Sequence, residues 1–293
     1  VTNFPPFGER LLQRMEERGP LCVGIDPHAN LLDQWGLPDT AEGAREFSLR
    51  VLEAVGPVCA AIKPQVALYE RFGSRGFAVL EELLKEARER DVLTIADAKR
   101  GDIGSTMEGY AAAWLSDDSP LAADSVTLST YLGVGALGPA IALAEETRRG
   151  VFVLALTSNP EGQSVQHVGA PRSVAARVMD EVSEANEKFL AQPTTTHGDI
   201  PRVGSIGVVI GATIGTALTD LNIDLTRFNG IILAPGFGAQ GADMASIKQV
   251  FGANADRVLV SSSRDILRAG PDAAALERAA RHAQTTADVA VTD

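Results

Sequence analysis

Cysteine is nearly absent from this 293-residue chain: Cys22 and Cys59 are the only two, and each lies in an apolar stretch. A disulfide scaffold is thereby excluded, and two buried thiols in a reducing compartment are expected, which points to the cytoplasm. Basic residues are also short, 26 Lys and Arg against 38 Asp and Glu, for a net charge of −12. Nucleic acid and anionic membrane both require a basic face, so neither is an expected partner. No apolar run reaches the ~18–20 residues of a membrane helix. Val1–Arg14 lacks a basic segment followed by an apolar core, so no secretory signal is expected there. Histidine occurs four times, at 28, 167, 197 and 282, without ligand spacing; Asp26 and His28 sit two apart but lack a third partner. No metal site is expected.

What the chain does contain is ordinary globular material, 45% apolar and 22% charged. Eight short apolar runs recur: Leu21–Asp26, Cys59–Lys63, Val92–Ala98, Ser125–Thr130, Val151–Ser158, Ile206–Ala212, Gly230–Gly236 and Arg257–Ser263. Most are rich in Val, Ile or Leu, as parallel strands buried on both faces must be. Amphipathic segments separate them, including Ala41–Ala54, Gly76–Arg90, Ser173–Leu190, Ala239–Phe251 and Ala273–Ala283. Alternation of this kind gives right-handed βαβ crossovers, and eight units predict an α/β fold, a (β/α)8 TIM barrel, with a doubly wound sheet as competitor. Residues 1–293 read as one domain. Phe7–Arg18 predicts a short helix, either a plug for the barrel bottom or a frayed extension. Gln192–Ser205 and Gly162–Pro171 read as surface loops.

Barrel active sites form at the C-terminal ends of the strands. Here the first strand ends in Asp26, the second in Lys63, and the third in Asp97-Ala98-Lys99-Arg100-Gly101-Asp102-Ile103. Residues i and i+2 share a strand face, so Asp97 and Lys99 should project together. A solvated charged turn is the alternative for the third segment alone. Four charges on three consecutive strand ends favour a site, because buried charges persist only when paired. Two Lys and three Asp are expected to interleave. Neighbouring carboxylates favour the ammonium form of Lys99, suiting it to deliver a proton rather than form a Schiff base.

The seventh strand runs into Ala234-Pro235-Gly236-Phe237-Gly238-Ala239-Gln240-Gly241, and the eighth ends in Ser261-Ser262-Ser263-Arg264. Phosphate sites recur after these two barrel strands, with backbone N–H groups and a guanidinium as donors. Gly236–Gly241 also spells a dinucleotide motif, but that motif belongs to a first βα turn followed by an acid-ended strand. A single phosphate fits better. Thr157-Ser158-Asn159-Pro160 after the fifth strand could read a heterocycle edge or form a polar turn, and the residues leave both open. Tyr110 and Tyr131 near strand ends are assigned to packing.

The block Asp97–Ile103 resembles the DxKxxDI signature of the orotidine 5′-phosphate decarboxylase family. Gly24–His28, Ile62-Lys63-Pro64, Tyr131-Leu132-Gly133, Thr157–Pro160 and Ala234-Pro235-Gly236 are similar to its longer bacterial branch. Two departures stand out: Gln65 where Asn is usual, and Ser129-Thr130 where Asn-Pro or Ser-Pro is usual; neither is expected to touch the charged network. The resemblance implies decarboxylation of orotidine 5′-monophosphate to uridine 5′-monophosphate by a homodimer with shared sites and no metal or organic cofactor. It implies that Asp26 and Lys63 bind ribose hydroxyls, Asp97 sits beside the substrate carboxylate, and Lys99 protonates C6. It further implies that Asp102, Ile103 and Thr106 reach the partner's site, Ser158 meets the pyrimidine amide edge, Pro235 lines the substrate pocket, and Gln240 and Arg264 hold the phosphate. Two rivals remain: a metal-assisted sugar-phosphate enzyme of the same superfamily, and a nucleotide-binding barrel without activity.

Overall fold

A computed structural model describes residues 4–192, 201–238 and 244–288. Eight parallel strands close into a barrel in chain order: β1 Leu21–Ile25, β2 Ala61–Pro64, β3 Leu93–Arg100, β4 Ser125–Leu128, β5 Gly150–Leu156, β6 Ile206–Ile210, β7 Ile232–Pro235 and β8 Val258–Ser262. Closure is made by β1 against β8, with Leu21 beside Val260 and Val23 beside Ser262. The main helices are α1 Phe7–Arg18, α2 Ala41–Val55, α3 Ser74–Glu89, α4 Gly104–Leu115, α5 Gly138–Glu146, α6 Val174–Leu190, α7 Met244–Phe251 and α8 Ala273–Asp288. Between β6 and β7 the described helical structure is a single turn, Ala217–Asp220, so that crossover departs from a full strand–helix unit. No described helix is long and apolar enough to cross a membrane.

The strand period sorts side chains into two layers. Leu21, Val23 and Ile25 pack outward under the helices, whereas Cys22 packs inward with Ala61, Leu93, Ile95, Phe152, Val209, Leu233 and Leu259. The two cysteines are free and buried, as expected. Helix α1 carries Phe7, Leu11 and Met15 four residues apart, one stripe of a helix, and that stripe joins the inward layer. Phe7 meets Phe152 edge-on at 6.1 Å. The Gly8 N–H donates to Ser205 Oγ at 3.1 Å, and Arg10 pairs with Asp124 at 2.8 Å. The N-terminal helix is therefore a barrel plug, and each buried apolar side chain of its stripe is worth about 1.5–3 kcal/mol.

Local capping follows the sequence. Thr40 accepts the Gly43 N–H at the start of α2, and Ser173 accepts the Ala176 N–H at the start of α6. One loop expectation is corrected in part. Within Gln192–Ser205, residues 193–200 lie outside the described set, but Val203 is buried against the plug because α1 needs a floor there. Gly162–Pro171 has no buried residue, as expected of a surface loop, and Gln163–Gln166 forms a helical turn within it.

Candidate active site

Inward phase continues to the strand ends and decides which side chains reach the mouth. From Cys22 the phase runs to Asp26, from Ala61 to Lys63, and from Leu93 and Ile95 to Asp97. It also runs from Phe152 to Leu154, from Leu233 to Pro235, and from Leu259 through Ser261 to Ser263. The strand-end residues Asp26, Lys63, Asp97, Leu154, Pro235, Ser261 and Ser263 line a cavity of about 650 Å³ together with His28, Gln65, Lys99, Ser158, Gly236 and Arg264. The mouth holds the polar ends of strands whose lower halves form the apolar core.

Asp97 is the centre. Its Oδ2 receives Lys63 Nζ at 2.8 Å and Gln65 Nε2 at 3.3 Å. Its Oδ1 receives Lys99 Nζ at 2.5 Å and the Thr127 hydroxyl at 3.0 Å. Side-chain exposure is 9% for Asp97, 8% for Lys63 and 47% for Lys99, so one ammonium is locked in and the other faces the cavity. Burial by itself would raise the Asp97 carboxyl; the Lys63 and Lys99 charges outweigh it and hold the group well below the usual carboxylate range. Burial likewise opposes charge on Lys63, and Asp97 with Asp26 overcomes it, leaving the Lys63 ammonium held above its ordinary value. Burial also pushes the Cys59 thiol up to about 12, which keeps it inert.

Lys99 and Asp97 do meet, but not through a regular pleat. Lys99 has φ +48°, and the β3–β4 register shifts between Ala96 and Arg100. A left-handed lysine is strained, and the Lys99 N–H is held by Thr127 Oγ1 at 2.9 Å. The bulge turns the strand end so that Lys99 Nζ folds back onto Asp97. Immediately beyond, Gly101 is obligatory: a Cβ there would sit 2.6 Å from Ser129 O.

Asp26 does not join this contact set directly. Its Oδ2 accepts from Ser263 Oγ at 2.5 Å, and among the described residues its Oδ1 is buried without a hydrogen-bond partner. Asp102 stands apart too, half-buried, accepting its neighbour's N–H at Ile103 at 2.8 Å. The expected interleaving of three Asp with two Lys is thus corrected within one chain: Asp97 alone bridges the lysines, because the Gly101 turn carries Asp102 away. Ile103 is 62% exposed and Thr106 is exposed on α4.

At the opposite side of the mouth, Gly236 and Gly238 have φ +106° and +77°, and a Cβ on Gly238 would lie 2.4 Å from Asp265 Oδ2. Arg264 lines the cavity, and among the described residues its guanidinium has no hydrogen-bond partner. Gln240 lies outside the described residues, as does the whole 239–243 stretch of the predicted helix; α7 starts at Met244. Ser158 lines the cavity beside Gly211, and Thr157 is tied to Gln166, whose Oε1 accepts the Thr157 N–H at 2.8 Å. Among the described residues no three His, Cys, Asp or Glu side chains converge as a metal set.

Two further expectations are corrected. Gln65 reaches the charged network, since its longer amide spans to Asp97 where the neighbouring strand pairs Gln65 with Asp97 in an isolated bridge. Tyr131 is not a packing residue: it is 82% exposed beside Leu132 at 53%. Sequence reasoning gave no role to Thr127 or Ser263. For Thr127 the signal was the strand period: Val126 and Leu128 pack outward, which leaves Ser125 and Thr127 as polar residues aimed inward.

Fold and mouth together define a (β/α)8 barrel with a lysine–aspartate–lysine centre at the C-terminal ends of its strands, the architecture of a barrel enzyme. The family model for orotidine 5′-phosphate decarboxylase / HUMPS matches residues 19–279. A curated orotidine 5′-phosphate decarboxylase of Streptomyces coelicolor is 50% identical over 277 residues, 94% of each chain. One from Corynebacterium glutamicum is 46% identical over 284 residues, covering 96% of this chain and 97% of its own. A crystal structure of a Streptomyces avermitilis protein assigned that activity superposes with a TM-score of 0.90 at 50% identity, covering 100% of this chain and 98% of the other. The chain belongs to the orotidine 5′-phosphate decarboxylase / HUMPS family, as one of its decarboxylases.

Proposed function

We propose that the chain decarboxylates orotidine 5′-monophosphate to uridine 5′-monophosphate and carbon dioxide in pyrimidine synthesis, without a cofactor and with Lys99 as the proton donor to C6. The observation that carries this reading is a buried carboxylate clamped between two ammonium groups, one of which, on Lys99, faces the cavity. Breaking the C6–carboxylate bond leaves its electron pair on C6, in the plane of the pyrimidine ring. No π-system takes up that pair, so the protein must meet it with a fixed charge. Lys99 Nζ supplies the charge and then its proton, which forms the new C6–H bond. Asp97, held ionised, is set where the substrate carboxylate would lie, so that loss of carbon dioxide relieves repulsion between two anions.

The remaining assignments follow the same mouth. Asp26 Oδ1, a buried acceptor without a partner among the described residues, is suited to a ribose hydroxyl, with Lys63 beside it. Ser158 would read the pyrimidine amide edge and Pro235 would line the ring pocket. Arg264, with Gln240, would hold the phosphate far from C6, where binding energy serves to order the site around the reacting carbon. Exposed Ile103, Tyr131 and Leu132, on adjoining loops, support a homodimer in which Asp102, Ile103 and Thr106 serve the partner's site. Free Cys22 and Cys59 support a cytoplasmic enzyme, and residues 1–293 are read as one barrel domain with its plug.

The test is loss of orotate-type ultraviolet absorbance when the protein meets orotidine 5′-monophosphate, with and without chelator. Fast, chelator-insensitive conversion to uridine 5′-monophosphate is expected. Its absence from folded protein overturns the reading. Lys99→Ala should abolish turnover with the fold intact, and a near-normal rate would remove Lys99 as donor.

A further inference from the structure

We infer that Thr127 is a positioning residue for this reaction, a single hydroxyl that sets both the Asp97 carboxylate and the Lys99 backbone; the inference rests on the decarboxylase reading above. Thr127 is 1% exposed, on the inward face of β4, and does not line the substrate cavity. Its Oγ1 accepts the Lys99 N–H at 2.9 Å and lies 3.0 Å from Asp97 Oδ1. An ionised carboxylate can only accept, so the hydroxyl proton must point at Asp97. Accepting from one group and donating to the other fixes the rotor with no freedom left.

The consequence for Asp97 is saturation. A carboxylate offers about four acceptor positions. Lys63 and Gln65 occupy Oδ2, while Lys99 and Thr127 occupy Oδ1. The carboxylate therefore cannot rotate away from Lys99 or recede from the cavity. The consequence for Lys99 is conformational. Its φ of +48° is one that a lysine avoids, and the Thr127 bond is what anchors its N–H there. Proton donor and anion are thus placed by the same oxygen, on a strand that carries no reacting group of its own.

The experiment compares Thr127→Val, which keeps the shape and deletes the hydroxyl, with Thr127→Ser, which keeps the hydroxyl and deletes the methyl. Decarboxylation and exchange of the C6 hydrogen of uridine 5′-monophosphate in D2O are both measured, since exchange forms the same carbanion through Lys99 without a leaving carboxylate. Removing a hydrogen bond to a charged group predicts a fall of about 10- to 100-fold in kcat for Thr127→Val. KM should change little, exchange should slow in parallel, and Thr127→Ser should recover most of the rate. Thr127→Cys, whose thiol donates weakly, should follow Val and serves if Val does not fold. A kcat within twofold of wild type in the hydroxyl-deleted chain overturns the inference, as does an equal loss in Ser and Val, which would show that the site responds to any change of packing rather than to the hydroxyl. Inactivity of the wild-type chain itself would instead refute the decarboxylase reading.

Discussion

Deleting the Asp97 carboxylate should reverse the alkaline pH dependence of stability. In the wild-type chain Lys63 and Asp97 are about 8% and 9% exposed at the side chain and 2.8 Å apart, while Lys99 is 47% exposed. Asp97→Ala frees Lys99 to turn into solvent at little cost. Lys63 has no such exit. It is left as a buried cation with Asp26 as its main remaining opposite charge. Removing one partner of a buried pair costs about 3–5 kcal/mol, and that is the loss expected at pH 7.

The signs separate the two chains. The wild-type Asp97 carboxyl is held below its unfolded value, so its contribution is present above that value and is lost as pH falls through the native one. Lys63 is held above its unfolded value, so its contribution is full below ~10.4 and disappears as pH rises through the native one. Between these limits the pair gives a plateau. In Asp97→Ala, burial, the largest influence on Lys63, is opposed chiefly by Asp26 and drives its value down. The unfolded chain then binds more protons than the native one over the neutral-to-alkaline range, so stability rises with pH. Equilibrium urea denaturation at several pH values between about 7 and 9.5 reads the slope directly. A second substitution, Lys63→Met, should recover most of the loss and flatten the slope. A loss under about 1 kcal/mol, a net gain, or a flat slope in Asp97→Ala would refute the argument, because the centre would then store strain rather than pair its charges.

Arg264→Ala should raise KM for the phosphorylated substrate by about 10- to 100-fold, from the loss of charged hydrogen bonds, while binding of unphosphorylated uridine stays as it was; equal effects on both ligands would move the phosphate elsewhere. Phe7→Ala, which empties the edge-on contact with Phe152, should cost about 3–5 kcal/mol in urea denaturation yet leave kcat unchanged. A changed kcat would mean that the plug communicates with the mouth. Mixed Lys99→Ala and Asp102→Ala chains should regain activity through one intact site per hybrid dimer, and failure despite demonstrated subunit exchange would count against sharing.

Much of the barrel was legible because it rests on period and order. Eight apolar runs became eight strands, and Asp26, Lys63 and Asp97 could be placed at the mouth from the inward phase of their own strands. The plug was legible as a helix, with plug and frayed extension both left open, since Phe7, Leu11 and Met15 show a stripe without showing what covers it. Asp102 was misplaced in the network for a related reason. Charge spacing in DAKRGD fixes neighbours along the chain, whereas the Gly101 turn, forced by Ser129 O, fixes direction in space. Tyr131 was read as packing because a tyrosine near a strand end is ambiguous until its surroundings are known.

The departures at Lys99 and Gln65 show where local rules yield. Pleat alternation predicts that residues 97 and 99 share a face, and they do, yet Lys99 sits at φ +48° beyond a register shift. In a regular strand two such side chains run side by side, with their heads free to diverge into solvent. The bulge bends the lysine back so that its ammonium closes on Asp97 at 2.5 Å, and Thr127 holds the bend. Gln65 then occupies the last acceptor position of the same carboxylate, which a side chain one methylene shorter would reach less readily from that backbone position. A strained lysine and a long amide are both costs to local preference, and both converge on a single anion. That convergence is the reason to look for function at this strand end rather than at the other charged turns of an acidic surface.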